Sequence, residues 1–249
     1  MINKILDFFY INNYFKSAIY FLKVLSIFNN RYKRKIIFFR YFKKRKKNNK
    51  KKILKNLYQS KIFIFNFPYN TEKIINHIYN YDQLNRDNQY SNHGHSNVYQ
   101  SEHNLEKKKE FSKISYDLEF FINKKLNKFF DFQVLKINKL WFVITKNLGI
   151  IKKHSHFDSD FSGVFYLKVE ENRNDDAGLK IHNFSENIEV YKFHNLENKF
   201  IKTICNDKTL LLKPKKNDLI IFNSYIEHSV YNKSLKDIDR ISLPFDLIF

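Results

Sequence analysis

Between residues 61 and 130, the apolar positions follow first a strand-like and then a helix-like period. Residues 61–67 form a short alternating apolar run that Pro68 ends, which predicts a strand. Apolar residues then recur at every third or fourth position in residues 70–81 and 106–130, which predicts two helices. The intervening stretch 82–104 is polar and rich in histidine, so we expect a loop there.

Beyond residue 131 the helical period stops and short apolar runs follow one another, separated by polar turns. These runs cover residues 139–145, 161–169, 179–183, 189–193, 210–213, 219–223 and 240–245. Many short strands of this kind favour an antiparallel sandwich or barrel. The predicted fold class is therefore mainly β with flanking helices (α+β). We expect a double-stranded β-helix (jelly-roll, cupin-like) barrel over about residues 139–249, with both helices packed against one sheet.

The segment 1–53 differs in composition from the rest of the chain. It carries 16 basic residues and one acidic residue, a net charge of +15 out of +20 for the whole chain. Lys16 and Lys23 interrupt its apolar run, so it lacks the roughly 20 uncharged residues of a membrane span. We interpret it as a basic low-complexity extension, either a targeting or membrane-surface element or a poorly ordered tract. Residues 54–249 then form the folded domain, with helical support at about 70–130.

Composition restricts the other classes of function. Since the basic charge is concentrated in residues 1–53, binding to nucleic acid or to a membrane surface is expected only through that segment. The single cysteine, Cys205, excludes an internal disulfide framework and a cysteine-rich zinc cluster. We therefore expect an intracellular protein, cytoplasmic or organellar and not secreted.

Three metal-binding side chains occur at alternate positions in one short stretch: His154, His156 and Asp158. In an extended chain, alternate side chains lie on the same face. A further histidine, His228, follows an apolar run, from which a barrel could return it to the same place. Two histidines and one carboxylate leave coordination positions open, as in non-haem iron(II) oxygenases.

Arg240 begins the last predicted strand, and Ser242 lies on the same face of that strand. A guanidinium offers a planar pair of donors that suits a carboxylate at the base of a pocket. The hydroxyl of Ser242 can add a second hydrogen bond. This pair is therefore a candidate site for the distal carboxylate of a dicarboxylic acid.

With these motifs the sequence resembles the 2-oxoglutarate/iron(II) oxygenase superfamily, and in particular a group frequent in cyanobacteria, marine bacteria and their phages. The resemblance rests on H-S-H-F-D-S-D-F-S-G-V-F-Y-L at 154–167, G-L-K-I-H-N at 178–183, D-L-I-I-F-N-S-Y-I-E-H-S-V at 218–230 and R-I-S at 240–242. It implies the cofactor Fe(2+), the cosubstrate 2-oxoglutarate and O₂.

The resemblance also implies roles for single residues. His156 and His228 would bind iron, while Tyr166 and Arg240 would contact 2-oxoglutarate with the help of Ser242. The third iron ligand stays open between Asp158 and His154. A carboxylate lowers the charge at Fe(II), which favours Asp158, whereas the group shares H-x-H, which favours His154.

The predicted function is that of a 2-oxoglutarate-dependent non-haem iron dioxygenase, a hydroxylase. Members of this superfamily accept protein side chains, nucleobases and small metabolites, so the primary substrate is left open. The chain has N-F-S at 183–185 where relatives tend to have D-P-R, a difference on the substrate side. The alternatives are a non-catalytic jelly-roll binding module and a nucleic-acid-associated protein that acts through residues 1–53.

Overall fold

The computed structural model describes most of the chain after the basic extension. The described residues are 60–84, 96–130, 134–170, 178–182, 188–193, 200–205, 207–232 and 238–249. The predicted extension 1–53 lies outside this part of the chain, as do residues 183–185. Among the described residues, no helix combines the length and the apolar character needed to cross a membrane.

The described residues form two helices and a series of strands, with one strand before the first helix and one between the two helices. Helix α1 spans Glu72–Leu84 and helix α2 spans Lys109–Leu126, with short 3-10 turns at Leu105–Lys107 and Asn127–Phe129. The strands are β1 (Ser60–Asn66), β2 (Ser96–Gln100), β3 (Lys136–Leu140), β4 (Val143–His154), β5 (Phe161–Lys168), β6 (Gly178–His182), β7 (Ile188–Phe193), β8 (Phe200–Cys205), β9 (Thr209–Leu212), β10 (Asp218–Asn223), β11 (Glu227–Tyr231) and β12 (Arg240–Ile248).

The described strands form one continuous twelve-stranded sheet, and we call its two parts on either side of the long strand β4 the larger and the smaller sheet. The larger sheet has the order β8-β7-β1-β10-β5-β12-β4, and the smaller one continues as β4-β11-β6-β9. Strand β4 passes from one to the other, because Thr145 pairs with Arg240 of β12 and His154 pairs with His228 of β11. β2 pairs with β4, and β3 with β12. This is the predicted jelly-roll barrel of mainly β structure.

The two faces of β12 show why the sequence folds in this way. Ile241, Leu243, Phe245 and Leu247 alternate along the strand and are fully buried in the core that the large sheet shares with the helices. The helices supply apolar residues to this core at the predicted spacing: Ile74, Ile78, Phe111, Ile114, Leu118 and Ile122. A second core fills the space between the sheets. The opposite face of β12 is thus directed between the two sheets.

Sequence patterns located most elements and missed those without a buried alternating face. Helix α1 extends three residues past the predicted end at 81. The loop predicted at 82–104 is wrong at Ser96–Gln100, which forms β2. Strand β8 was missed because its residues 201–204 are exposed, and β11 because it is short and polar. The described strand pairs within residues 139–249 are antiparallel as expected, and β1, which precedes this range, runs parallel to β7.

Candidate functional site

Three imidazoles meet between the sheets: those of His154, His156 and His228. Their nitrogen ligand atoms all lie within 4.8 Å of one another. The ring centroids are 4.2 Å apart for His154 and His228, and 5.3 Å and 5.4 Å from His156 to these two. A cluster of this size can hold one metal ion.

Strand register places two of these rings, and a loop places the third. His154 is the last residue of β4 and lies directly opposite His228 in β11. His156 follows two residues after the end of β4, where its backbone N–H donates to the carbonyl oxygen of Ser224 at 2.9 Å. Ser224 belongs to the turn before β11, and its hydroxyl donates to the carbonyl of Ser159 at 2.6 Å. The two ligand-bearing segments are therefore fixed to each other.

Each imidazole uses its Nδ1 in a contact with an acceptor. Nδ1 of His154 lies 2.8 Å from the carbonyl oxygen of Lys152, and Nδ1 of His228 lies 3.1 Å from that of Ile226. Nδ1 of His156 lies 3.0 Å from the carboxylate of Asp246. An Nδ1–H that donates leaves the Nε2 lone pair available, which is the form in which histidine binds a metal.

The electrostatic environment keeps His228 neutral. Burial lowers the pKa of His228 well below its ordinary value, and the positive charges that His154 and His156 would carry lower it further. His228 is 5% exposed. A neutral imidazole is the species that coordinates a metal, so the lowered pKa leaves His228 in the form that metal binding requires.

Asp158 lies outside the histidine cluster. Strand β4 ends at His154 and the chain bends over residues 157–160, so the alternation of the extended strand does not reach Asp158. Its carboxylate forms an ion pair with Lys139 at 2.6 Å, and the side chain is half exposed. The structure thus brings His154, and not Asp158, into contact with the other two predicted ligands.

A cavity of about 340 Å³ extends from the three imidazoles into the space between the sheets. Arg240, Tyr166 and Ser242 line it. The guanidinium of Arg240 lies over the ring of Tyr166, with its Cζ 4.9 Å from the ring centroid. Its Nη1 is buried and has no hydrogen-bond partner among the described residues. A buried donor of this kind favours an anionic ligand inside the cavity.

Several residues at this site were not predicted from the sequence. Asp246 is 1% exposed and also accepts a hydrogen bond from the hydroxyl of Ser162 at 2.8 Å. The two-residue period of strand β12 could have indicated Asp246, because Arg240, Ser242 and Asp246 lie on the same face of an extended strand. Trp141 packs between His103 and His156, with ring centroids 4.5 Å and 5.8 Å away. Nothing in the sequence pattern indicated this contact.

The remaining histidines have other environments. His182 Nε2 lies 2.9 Å from the hydroxyl of Ser229, and His182 is not part of the three-imidazole cluster. Burial, and then the positive charges of Lys153 and Lys180, lower the pKa of His182. His103, in the stretch 82–104 where a loop was expected, lines the cavity. His93 and His95 lie outside the described residues.

The barrel segment is similar in sequence to a known family. Residues 139–246 match the sequence profile of the family described as "Putative 2OG-Fe(II) oxygenase". The comparison with curated proteins gave no match.

Among solved structures, an oxidoreductase of the 2OG-Fe(II) oxygenase family from Burkholderia pseudomallei is 14% identical with a TM-score of 0.38. The match covers 56% of this chain and 55% of that protein. HygX from Streptomyces hygroscopicus, solved with nickel, 2-oxoglutarate and hygromycin B, is 9% identical with a TM-score of 0.48. The match covers 80% of this chain and 87% of HygX. A prolyl hydroxylase from Trichoplax adhaerens, in complex with a hypoxia inducible factor peptide, is 14% identical with a TM-score of 0.49. The match covers 81% of this chain and 94% of that protein.

Proposed function

We infer that this chain belongs to the 2-oxoglutarate/iron(II) oxygenase superfamily, whose family profile matches residues 139–246, and that it is a dioxygenase that couples decarboxylation of 2-oxoglutarate to oxidation of a primary substrate. The observation that carries the proposal is the convergence of His154, His156 and His228 at the end of a cavity that also holds a buried arginine. An iron site and a dicarboxylate site in one cavity are what this chemistry requires.

The histidine cluster fits a divalent metal. We assign the ligands as Nε2 of His154, His156 and His228, because each Nδ1 already contacts an acceptor. Three ligands on one side leave positions open for the cosubstrate and O₂. When bound, iron(II) with 2-oxoglutarate and O₂ supplies the oxidising power, giving succinate, CO₂ and hydroxylated substrate. The chain's own contribution is to hold and orient these groups.

The other end of the cavity fits 2-oxoglutarate. The guanidinium of Arg240 would bind the distal carboxylate and so satisfy its Nη1, while the hydroxyl of Ser242 adds a hydrogen bond. Tyr166 packs against the guanidinium and limits the directions in which it can point. The keto-acid end would then be directed toward the histidines. This orientation is proposed because Arg240 and the three histidines line the same cavity.

Apolar side chains surround the space between the two sites. Leu179, Phe222 and Val230 line the cavity, and Phe222 packs edge-on against His228 with ring centroids 4.8 Å apart. Such walls exclude water from the reacting groups, which strengthens the electrostatic interactions in the cavity and limits side reactions. This lining supports a catalytic role for the cavity.

An anaerobic titration tests the proposal. The protein should bind one equivalent of Fe(2+) and then 2-oxoglutarate, and it should release succinate when O₂ and pools of candidate substrates are added. A His228→Ala variant should bind neither iron nor cosubstrate at the same concentrations. If the wild-type protein binds no iron, or binds it without retaining 2-oxoglutarate, the proposed function is wrong and a non-catalytic barrel is the better interpretation.

A further inference from the structure

The carboxylate of Asp246 is buried beside the proposed metal site and contacts one of its ligands. Both of its oxygens lie 3.0 Å from Nδ1 of His156. The hydroxyl of Ser162 donates to Oδ1 at 2.8 Å. A buried carboxylate is costly unless it is hydrogen-bonded to donors of this kind, so its position here requires an explanation.

The proposed ligands bring no negative charge to the metal. A triad of two histidines and one carboxylate lowers the charge of Fe(II) by one unit, whereas three neutral imidazoles leave it unchanged. The Nδ1 atoms of His154 and His228 meet neutral main-chain carbonyls. The Nδ1 of His156 meets an anionic group. His156 is therefore the ligand through which a carboxylate can act on the metal.

We propose that Asp246 is a positioning residue that supplies, through His156, the negative charge that a direct carboxylate ligand would otherwise bring. This inference rests on the proposed function, because it assumes a metal at the three histidines. The carboxylate accepts the Nδ1–H of His156, fixes the tautomer with Nε2 available, and makes the imidazole a stronger donor to the cation.

The location of Asp246 in β12 supports this role. Arg240 and Asp246 are on the same face of the strand, at its two ends, so one strand bears both the cosubstrate contact and the support of the metal ligand. Trp141 stacks on the ring of His156 with an interplanar angle of 19° and restricts the rotation of that ring. The ring of His156 is thus held by a flat contact and by a charged hydrogen bond.

The substitution Asp246→Asn tests the charge with little change in shape. The amide oxygen can still accept from His156 and the amide nitrogen can donate to Ser162, so packing is retained while the charge is lost. We expect affinity for Co²⁺, a spectroscopic substitute for Fe(II), to fall roughly 10- to 100-fold, the usual effect of removing an outer-shell partner. Asp158→Asn is the matched control at an exposed carboxylate, which pairs with Lys139, and should leave Co²⁺ affinity unchanged.

Two further measurements separate this role from a purely structural one. The absorption bands of bound Co²⁺ should shift in Asp246→Asn, because a less basic His156 alters the ligand field. In the metal-free protein, nitrogen NMR should show His156 with its proton on Nδ1. Unchanged Co²⁺ affinity and spectrum in Asp246→Asn would overturn the inference while leaving the proposed function intact, whereas absence of Co²⁺ binding in the wild-type protein would overturn both.

Discussion

The imidazoles of His154 and His228 lie 4.2 Å apart, centroid to centroid, because the two residues are direct partners in the register of β4 and β11. β4 pairs with β12 through residues 143–145 and with β11 through residues 150–154, and the His154–His228 pair lies at the end of the second part. The proposed metal site is therefore positioned by the hydrogen-bonding pattern of the barrel itself. His156 completes it from the loop that follows.

The first prediction concerns the third metal ligand. His154→Ala should abolish stoichiometric binding of Fe(2+) or Co²⁺, because it removes one of three nitrogens that converge within 4.8 Å. Asp158→Ala should retain binding, since the Asp158 carboxylate pairs with Lys139 at the surface. Isothermal titration under anaerobic conditions measures both. Loss of metal binding in Asp158→Ala with retention in His154→Ala would reverse the assignment.

These two residues also show how far sequence patterns reach. The recurrence of histidines and R-I-S indicated the candidate residues, and the strand period predicted that Arg240 and Ser242 share one face, and in the structure both line the cavity. The same period was extended to Asp158, although the extended strand ends at His154. A strand's end depends on which partner strand remains alongside it. That information is tertiary, and local alternation does not contain it.

The second prediction concerns the cosubstrate. Arg240→Lys should weaken binding of 2-oxoglutarate roughly 10- to 100-fold, because an ammonium cannot reproduce the two-pronged contact and a charged hydrogen bond contributes about 1.5–3 kcal/mol. Metal affinity should change little, since Arg240 makes no contact with the histidines in the proposed assignment.

Tyr166→Phe is the matched control for Arg240→Lys. It keeps the ring beneath the guanidinium and removes only the hydroxyl. We expect a smaller loss of 2-oxoglutarate affinity than in Arg240→Lys, and this loss measures the contribution of the hydroxyl without that of ring packing. Fluorescence or calorimetric titration of the metal-loaded protein gives the values. Equal 2-oxoglutarate affinity in wild type and Arg240→Lys would show that the cosubstrate binds elsewhere.

The third prediction concerns the glycine of the S-G-V motif. A Cβ at Gly163 would lie 2.2 Å from Cζ of the Phe245 ring, a distance that forces the ring or the strand to move. Gly163→Ala should therefore lower the free energy of unfolding by about 1–3 kcal/mol. Urea denaturation measures it. Adding Phe245→Leu should make the two changes non-additive, because the smaller side chain relieves the clash; strict additivity would contradict this explanation.

The fourth prediction concerns pH and a buried ion cluster on the large sheet. Glu189 is 4% exposed and accepts a hydrogen bond from the hydroxyl of Tyr191 at 2.7 Å. It also pairs with Lys202 and with Lys61, the latter at 3.6 Å. Burial acts to raise the pKa of Glu189, but the hydrogen bonds from Lys202 and Tyr191 and the charges of both lysines outweigh it, so the pKa is lowered.

A lowered pKa means that the ionised form of Glu189 stabilises the folded state. This contribution is complete above the ordinary glutamate pKa of about 4.3 and is lost as the pH falls through the lower value of the folded protein. Glu189→Gln should thus be less stable than wild type at pH 7, and the difference in the free energy of unfolding should shrink as the pH falls below the ordinary glutamate pKa.

Asp158→Asn is the control, because it breaks an exposed ion pair. It should lower the free energy of unfolding by less than about 1 kcal/mol at pH 7. Denaturation midpoints at a series of pH values test this, and a difference between wild type and Glu189→Gln that grows toward acid would contradict the stabilising role of the carboxylate.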